Sequence, residues 1–358
     1  MTHSFAAQAA APSPSSPSPP PADSQDADAA TEHRPLCVMT LNALDPCGGW
    51  GLGVDMVTIA SVGAHPVAVA CGVYVSDTSR VFNHTALDDD LVTDQARTVL
   101  EDMPIAAIKL GFAGSTANLS SIAQICSDYP EIPVISYMPD LSWWQEGDAL
   151  EEYMDAFAEL MLPQTTVLVG NHATLARWLL PDWHSSRAPS PRDIAKAAEA
   201  HDVPFVLVTG IPVPGDYLDN ALATTEAILT HSQFELFREQ FLGTGDTISA
   251  ALTALLAAGN DLAQSVQEAL EYMDHSLGHA FRPGMGRWIP DRMFWAQPEA
   301  ENDSDGDGDG DTTDPDSANA FDDPATPPSE SAASDDPDAS DHRPPPAGFA
   351  ISSNDTEH

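Results

Sequence analysis

Between residues 36 and 279 of this 358-residue chain, short apolar runs alternate with stretches of helical periodicity. Residues 36–41, 66–75, 105–111, 134–138, 166–169 and 205–209 are rich in Val, Ile, Leu and Ala. Such runs suit strands covered on both faces. Residues 53–62, 91–101, 120–127, 149–160, 174–180 and 192–200 space their apolar positions three and four apart and predict helices. Two longer helices are expected over 247–258 and 262–279. Strands alternating with helices predict an α/β fold, a three-layer αβα sandwich around a mostly parallel sheet. No internal repeat is visible.

The pattern stops at both ends. Residues 1–34 are rich in Ala, Pro and Ser, and residues 298–358 are dominated by Asp, Ser, Pro, Gly, Ala and Thr. Neither segment has the apolar surface to offset the entropy of ordering, so both are expected to be disordered around one domain over 35–297. Asp303 to Asp311 alternate with small residues in the manner of a calcium loop, but no glutamate follows at the twelfth position, and a solvated acidic tail is the expected reading.

Charge follows the same division. The formal net charge is −42, from 13 Lys and Arg against 55 Asp and Glu. The tail holds 18 acids against one base and the N-terminal arm four against one, which leaves −22 on the 263 residues between. That balance argues against nucleic acid or an anionic membrane as partner, since both need clustered cations. Only two lysines exist, Lys109 and Lys196. Cys37, Cys47, Cys71 and Cys126 show no zinc spacing, and no metal site is expected among the side chains. The N-terminus lacks a secretory pattern, and the apolar stretch 248–258 is about half of a bilayer span. A cytoplasmic protein with reduced thiols is the expectation.

Two glycine-rich loops carry the candidate chemistry. The first, Asn42-Ala-Leu-Asp-Pro-Cys-Gly-Gly-Trp-Gly-Leu-Gly-Val-Asp55, joins the first strand to the first helix, where α/β proteins bind ligands. It fits neither the Walker nor the dinucleotide spacing. The second, Leu242-Gly-Thr-Gly-Asp246, opens the helix predicted over 247–258. Gly243, Thr244 and Gly245 would offer N–H groups to an anion at a helix N-terminus. Asp246 has two readings: a helix cap, or a base that takes a proton from a hydroxyl while the amides hold charge on a transferring phosphoryl group.

Taken together the loops resemble the hydroxymethylpyrimidine and phosphomethylpyrimidine kinases of thiamine biosynthesis, within the ribokinase-like group. Residues 44–55 resemble that family's Gly-x-Asp-x-Ser-Gly-Gly-Ala-Gly-x-x-Ala-Asp opening. Residues 59–65, Ile108-Lys109-Leu110-Gly111-Phe112 and Gly243-Thr244-Gly245-Asp246 resemble later stretches in the same order, so the likeness runs over residues 36–286. It implies ATP- and Mg2+-dependent phosphorylation of the primary hydroxyl of 4-amino-5-hydroxymethyl-2-methylpyrimidine, and in many members of its monophosphate. On this chain Asp246 would be the base, with Gly243, Thr244 and Gly245 as the anion hole. Asp45, Gly49, Asp55, Ser76 and Phe112 would be the substrate-binding residues, with Asp77 an alternative to Ser76. Trp143 and Trp144 beside Gln145-Glu146 fall where the family has a loop over the substrate. A homodimer is a common assembly of the family.

The departures keep a second function open. The family's Thr-Pro-Asn-x-x-Glu aligns with Gly170-Asn171-His172-Ala173-Thr174-Leu175, read here with Leu175 in place of the magnesium-organising glutamate. Thr209 stands where the family has the lysine of Lys-Gly-Gly. A catalytically impaired homologue that binds a pyrimidine or nucleotide as a sensor or regulatory subunit is therefore an alternative. A third reading makes the acidic tail the working part. Arg177 and Arg238 are the cations that could stand in for the lysine.

Overall fold

The computed structural model describes residues 35–145 and 147–296; the expectations for the two terminal segments and for Glu146 lie outside the described residues. Strand β1 (Cys37–Leu44) is followed by helix α1 (Gly51–Ser61), β2 (His65–Ser76), β3 (Val81–Ala86), α2 (Asp89–Asp102), β4 (Ile105–Leu110), α3 (Thr116–Asp128) and β5 (Val134–Met138). Then come α4 (Gly147–Ala156), which runs on through the wider turn Phe157–Met161, β6 (Val167–Asn171), α5 (His172–Leu179), α6 (Pro191–Glu199) and β7 (Phe205–Val213). A hairpin of β8 (Tyr217–Ala223) and β9 (Ile228–Glu235) precedes α7 (Thr244–Ala257) and α8 (Leu262–Gly278).

All nine strands form one sheet in the order β3-β2-β1-β4-β5-β6-β7-β8-β9. The six from β2 to β7 in that order are parallel, and β3, β8 and β9 add antiparallel edges. Along the central strands alternate residues enter opposite cores. Val134, Met138, Leu168, Val206 and Val208 pack under α2 to α6, whereas Ile135, Val167, Val169 and Leu207 pack under α7 and α8. This period of two on continuously apolar strands makes the sandwich three-layered. No helix among the described residues is long and apolar enough to cross a membrane.

The antiparallel strands are a correction to the pattern-based reading, which missed all three. In β3 the residues are Val81, Phe82, Asn83, His84, Thr85 and Ala86, none fully buried, and β9 is exposed or half-buried throughout. Strands with one face in solvent lack the unbroken apolar run that marks the central six. The Pro214-Gly215-Asp216 turn, with Gly215 at φ +90°, is the local signal for the β7–β8 hairpin.

β1 pairs with β2 on one side and β4 on the other. The strand order therefore reverses beside β1, and the carboxyl ends of β1 and β4 flank the crevice that such sheets use for ligands. Both glycine-rich loops come to this crevice.

Candidate functional site

Five buried polar side chains converge where β1, β4 and the starts of α1 and α7 meet. Lys109 on β4 has no exposed surface. Its Nζ donates to Asp55 Oδ1 (2.8 Å) and Oδ2 (2.9 Å) and to Asp246 Oδ1 (2.7 Å). Asn42 Nδ2 donates to both carboxylates, Asp55 Oδ2 at 2.9 Å and Asp246 Oδ1 at 3.0 Å. Its own Oδ1 accepts from the N–H groups of Ala43 and Phe112, which fixes the amide orientation. Thr40 Oγ1 donates to Asp55 Oδ2 at 2.6 Å, and the Gly51 N–H donates to Asp246 Oδ2 at 3.0 Å.

The two carboxylates titrate in opposite directions. Burial pushes the Asp55 carboxyl up, Lys109 pulls it back and Asp246 pushes it up again, leaving it at about 6. Burial would also raise Asp246, but Lys109, the Gly51 N–H and Asn42 outweigh it and hold that carboxyl below its usual value. Burial opposes the charge on Lys109, yet the two carboxylates more than restore it. Two acids sharing one ammonium thus divide into a low and a high member, and Asp246 is the one kept ionised.

Asp246 does not cap its own helix, because its carboxylate oxygens are bonded to Lys109, Asn42 and Gly51. The N-cap of α7 is Gly243, at φ +68° and with no side-chain cap. The N–H groups of Thr244, Gly245 and Asp246 in the first turn therefore have no intrahelical acceptor. Glycine is required at both positions for different reasons. A Cβ on Gly243 would lie 2.0 Å from the Gly49 carbonyl oxygen, and one on Gly245 would lie 2.2 Å from the Tyr137 ring. Gly243→Ala is expected to separate the two loops, lowering the melting temperature by roughly 5 °C; its effect on turnover should be about a hundredfold if the amides act on an anion. Thermal unfolding and ADP-release assays on the variant check both.

A cavity of about 570 Å³ opens above this cluster, with Asp246, Gly243 and Thr244 on its floor. Trp50, Tyr74 and Trp143 form an aromatic wall; the Tyr74 ring lies edge-on to both tryptophans, at 6.3 and 5.8 Å between centroids. Asp140, Asn171, Thr174 and Arg177 also line the cavity, as do Arg80 and Arg287. Arg177 is bonded to Asp140 at 2.8 Å. Arg287 lies 5.5 Å from the Trp50 ring. A second cavity of about 280 Å³ adjoins through Asn171 and Thr244; Thr209, Gly210, Asn220, Phe234, Ile248 and Leu270 are among its largely apolar lining.

The residues expected from the sequence divide by depth. Asp246, Gly243 and Thr244 face the cavity, and Gly245 is packed on Tyr137 just behind. Asp45 is buried and closes its own loop, accepting from the N–H groups of Gly49 (2.8 Å) and Trp50 (3.4 Å) and from the Ser76 hydroxyl. Gly49 lies against Leu242, and Ser76 is occupied by Asp45. Asp77 is exposed in the β2–β3 turn, where it accepts from Ser79 and Arg80. Asp55 lies wholly beneath the cavity floor. Phe112 is one layer down, stacked on Tyr74 at 5.6 Å, so Tyr74 and Trp143 separate it from the cavity. Trp143 and Trp144 pack on Phe112 and His84.

Leu175 is fully buried in the core under Gly170, whereas Thr174 lines the cavity. Counted from Asn171, the glutamate of Asn-x-x-Glu falls at Thr174. The sequence reading also missed Thr40, Asn42, Tyr74, Arg80, Arg287 and Arg292. Five of the chain's 13 cationic side chains gather here, Arg80, Arg177 and Arg287 on the wall and Lys109 and Arg292 beneath. Arg238 does not line either cavity.

The chain is similar to known kinases in sequence and in fold. The chain is 25% identical over 253 residues to the hydroxymethylpyrimidine/phosphomethylpyrimidine kinase of Escherichia coli (strain K12), covering 70% of this chain and 94% of that protein. Its fold matches the Bacillus subtilis pyridoxal kinase solved as an ADP complex, with a TM-score of 0.66 at 19% identity over 73% of this chain and 99% of that one. It also matches the Staphylococcus aureus pyridoxal kinase in complex with AMP-PCP and pyridoxal, with a TM-score of 0.63 at 17% identity over 73% and 95%. The fold is thus the ribokinase-like sandwich. A family model described as Phosphomethylpyrimidine kinase matches residues 45–290, and this chain belongs to that family.

Proposed function

We propose that the protein is an ATP-dependent kinase acting on the primary hydroxyl of 4-amino-5-hydroxymethyl-2-methylpyrimidine and on its monophosphate, with Asp246 as general base. The observation that carries this reading is the placement of Asp246. Its carboxylate is held ionised on the floor of an aromatic-walled cavity, in the first turn of a helix whose leading N–H groups have no intrahelical acceptor.

In this reading the heteroaromatic ring lies against Trp50, Tyr74 and Trp143. Asp45, Gly49, Ser76 and Asp55 shape the loop and floor around it rather than touch it. Asp246 takes the hydroxyl proton as the oxygen attacks the γ-phosphorus. The bond from that phosphorus to the bridging oxygen breaks, and ADP leaves with the electron pair. The amides of Gly243, Thr244 and Gly245 hold the charge on the transferring group. The apolar second cavity, meeting the first at Thr244, suits the nucleoside end of ATP.

A magnesium ion carried with ATP would neutralise phosphate charge. No group of three His, Cys, Asp or Glu side chains among the described residues could hold it alone. Asp140, Asn171 and Thr174 offer oxygen donors of the kind a hard cation prefers, with the nucleotide phosphates supplying the rest. Arg80, Arg177 and Arg287 supply positive charge in place of the lysine that Thr209 replaces.

ADP release measured with the hydroxymethylpyrimidine, its monophosphate and pyridoxal as separate acceptors tests the proposal. Turnover is expected with the first two and weaker turnover with pyridoxal. The threonines at 174 and 209 favour a second reading, a binding-only homologue. Pyrimidine binding by calorimetry with no ADP release from any acceptor would establish that reading and sink the kinase one.

A further inference from the structure

Arg292 lies two residues beyond the span matched by the family model, and it is only 5% exposed. Its Nε donates to Thr247 Oγ1 at 2.9 Å, Nη2 to the Gly49 carbonyl at 3.3 Å and Nη1 to the Pro290 carbonyl at 3.2 Å. One guanidinium therefore joins the first glycine loop, the first turn of α7 and the C-terminal segment. That segment is itself anchored, since the Arg292 carbonyl accepts from Ser61 Oγ and Tyr272 Oη, each at 2.7 Å.

The three acceptors on the guanidinium are neutral, so its charge is balanced across space. The buried groups facing this region are Asp55 on α1, Tyr74 on β2, Lys109 on β4, Tyr137 on β5, Asp246 on α7, Tyr272 on α8 and Asp291 beside it. The tyrosines are neutral at physiological pH: burial pushes all three hydroxyls further up, the nearby carboxylates add to this at Tyr74 and Tyr137, and Arg292 opposes it at Tyr272. Lys109 is one charge facing two carboxylates. Burial pulls Arg292 down to about 10, which still leaves it protonated.

We propose that Arg292 is a positioning residue for Asp246: it is the second buried cation that lets Asp55 and Asp246 stay charged together, and it clamps the Gly49 carbonyl against the turn that carries the base. The inference rests on the reading of Asp246 as the base, but its electrostatic core is tested without turnover. Removing the cation should raise the Asp55 carboxyl further above its present value near 6. A carboxyl raised in the folded state contributes stability that is present below its unfolded value and lost as pH rises through its folded value. The deficit from losing Arg292 should therefore be larger at pH 8 than at pH 5, where Asp55 carries a proton.

The experiment compares wild type, Arg292→Gln and Arg292→Lys by thermal unfolding at about pH 8 and about pH 5, with the acid limb of kcat for ADP release measured in parallel. Arg292→Gln is expected to melt roughly 5 °C or more below wild type at pH 8, with at least half of that deficit gone at pH 5, and its acid limb should move to higher pH. Arg292→Lys keeps the charge, so its deficit should not change with pH and its acid limb should stay in place. An equal deficit for Arg292→Gln at both pH values, the same pH dependence in the Lys variant, or a Gln variant unfolded at both pH values would assign Arg292 to packing and overturn the proposal. The expected melting behaviour in a wild type that releases no ADP would refute the kinase reading while leaving the charge assignment standing.

Discussion

Asp246→Asn should lower the rate of ADP release with the hydroxymethylpyrimidine by about a thousandfold, in the range that a positioned general base supplies. The substitution keeps the side-chain shape, but the one amide oxygen can accept either from the Gly51 N–H or from Lys109 and Asn42, so part of the contact between the loops is lost. It removes the charge that Lys109 and Asn42 hold at 2.7 and 3.0 Å and with it the ability to take a proton. Substrate KM should change little, because the aromatic wall is untouched and the lost interaction belongs to the transition state. One charge remains for Lys109 to pair with, Asp55, so folding should be retained. A kcat within a few-fold of wild type would rule out Asp246 as the base.

Lys109→Met should have the largest effect on stability. The ammonium is wholly buried between Asp55 and Asp246, and breaking a buried pair by removing one partner costs about 3–5 kcal/mol. Here one ammonium is bonded directly to both carboxylates, so the upper part of that range applies, equivalent to a melting temperature lower by roughly 10 °C at pH 8. The sign with pH follows from Asp55. Its folded value already stands at about 6, above the ordinary carboxylate value of 3.8, and without Lys109 it must rise further. Native-state protonation then relieves the unpaired charge, so the deficit should narrow as pH falls from 8 toward 6. Catalysis should not recover alongside stability, since Lys109 is the main group that holds Asp246 ionised. Calorimetry from pH 5 to pH 8 with parallel assays separates the two effects. A deficit that widens on acidification would contradict the assignment of Lys109 as the shared counter-ion.

How far the site can be read from the chain depends on the range of each interaction. The Gly-rich character of residues 48–53 and of 243–245 is a local requirement. Gly51 at φ +70° would place a Cβ 2.2 Å from the Ala43 carbonyl oxygen, and Gly243 at φ +68° is equally constrained. Such demands leave glycines in the sequence, and the helix that starts at Thr244 presents Asp246 in its first turn. By contrast, the stretch around Lys109 on β4 carries a family likeness but nothing that reveals its partners, and nothing local distinguishes Asn42 from a residue ending a strand. Their partners are 137 and 204 residues away in Asp246. Arg292 meets Gly49 across 243 residues. The same limit affected depth: the sequence offered Asp45, Asp55, Ser76 and Phe112 as substrate contacts, yet they form the loop, the floor and the layer behind the wall.

The sequence by itself determined the layered α/β architecture, because strands buried on both faces must be apolar at successive positions and helices packed on them must repeat every 3.6 residues. It also determined the two glycine loops and the candidate base, because backbone conformation and helix position are short-range properties. The tertiary structure alone decided that the two carboxylates share one ammonium and that Asp246 is the member kept ionised. It also gathered five of a scarce set of 13 cations at one cavity in a chain of net charge −42. Desolvation and ion pairing act between side chains that meet only when the sheet reverses its order beside β1, so no linear pattern could encode them.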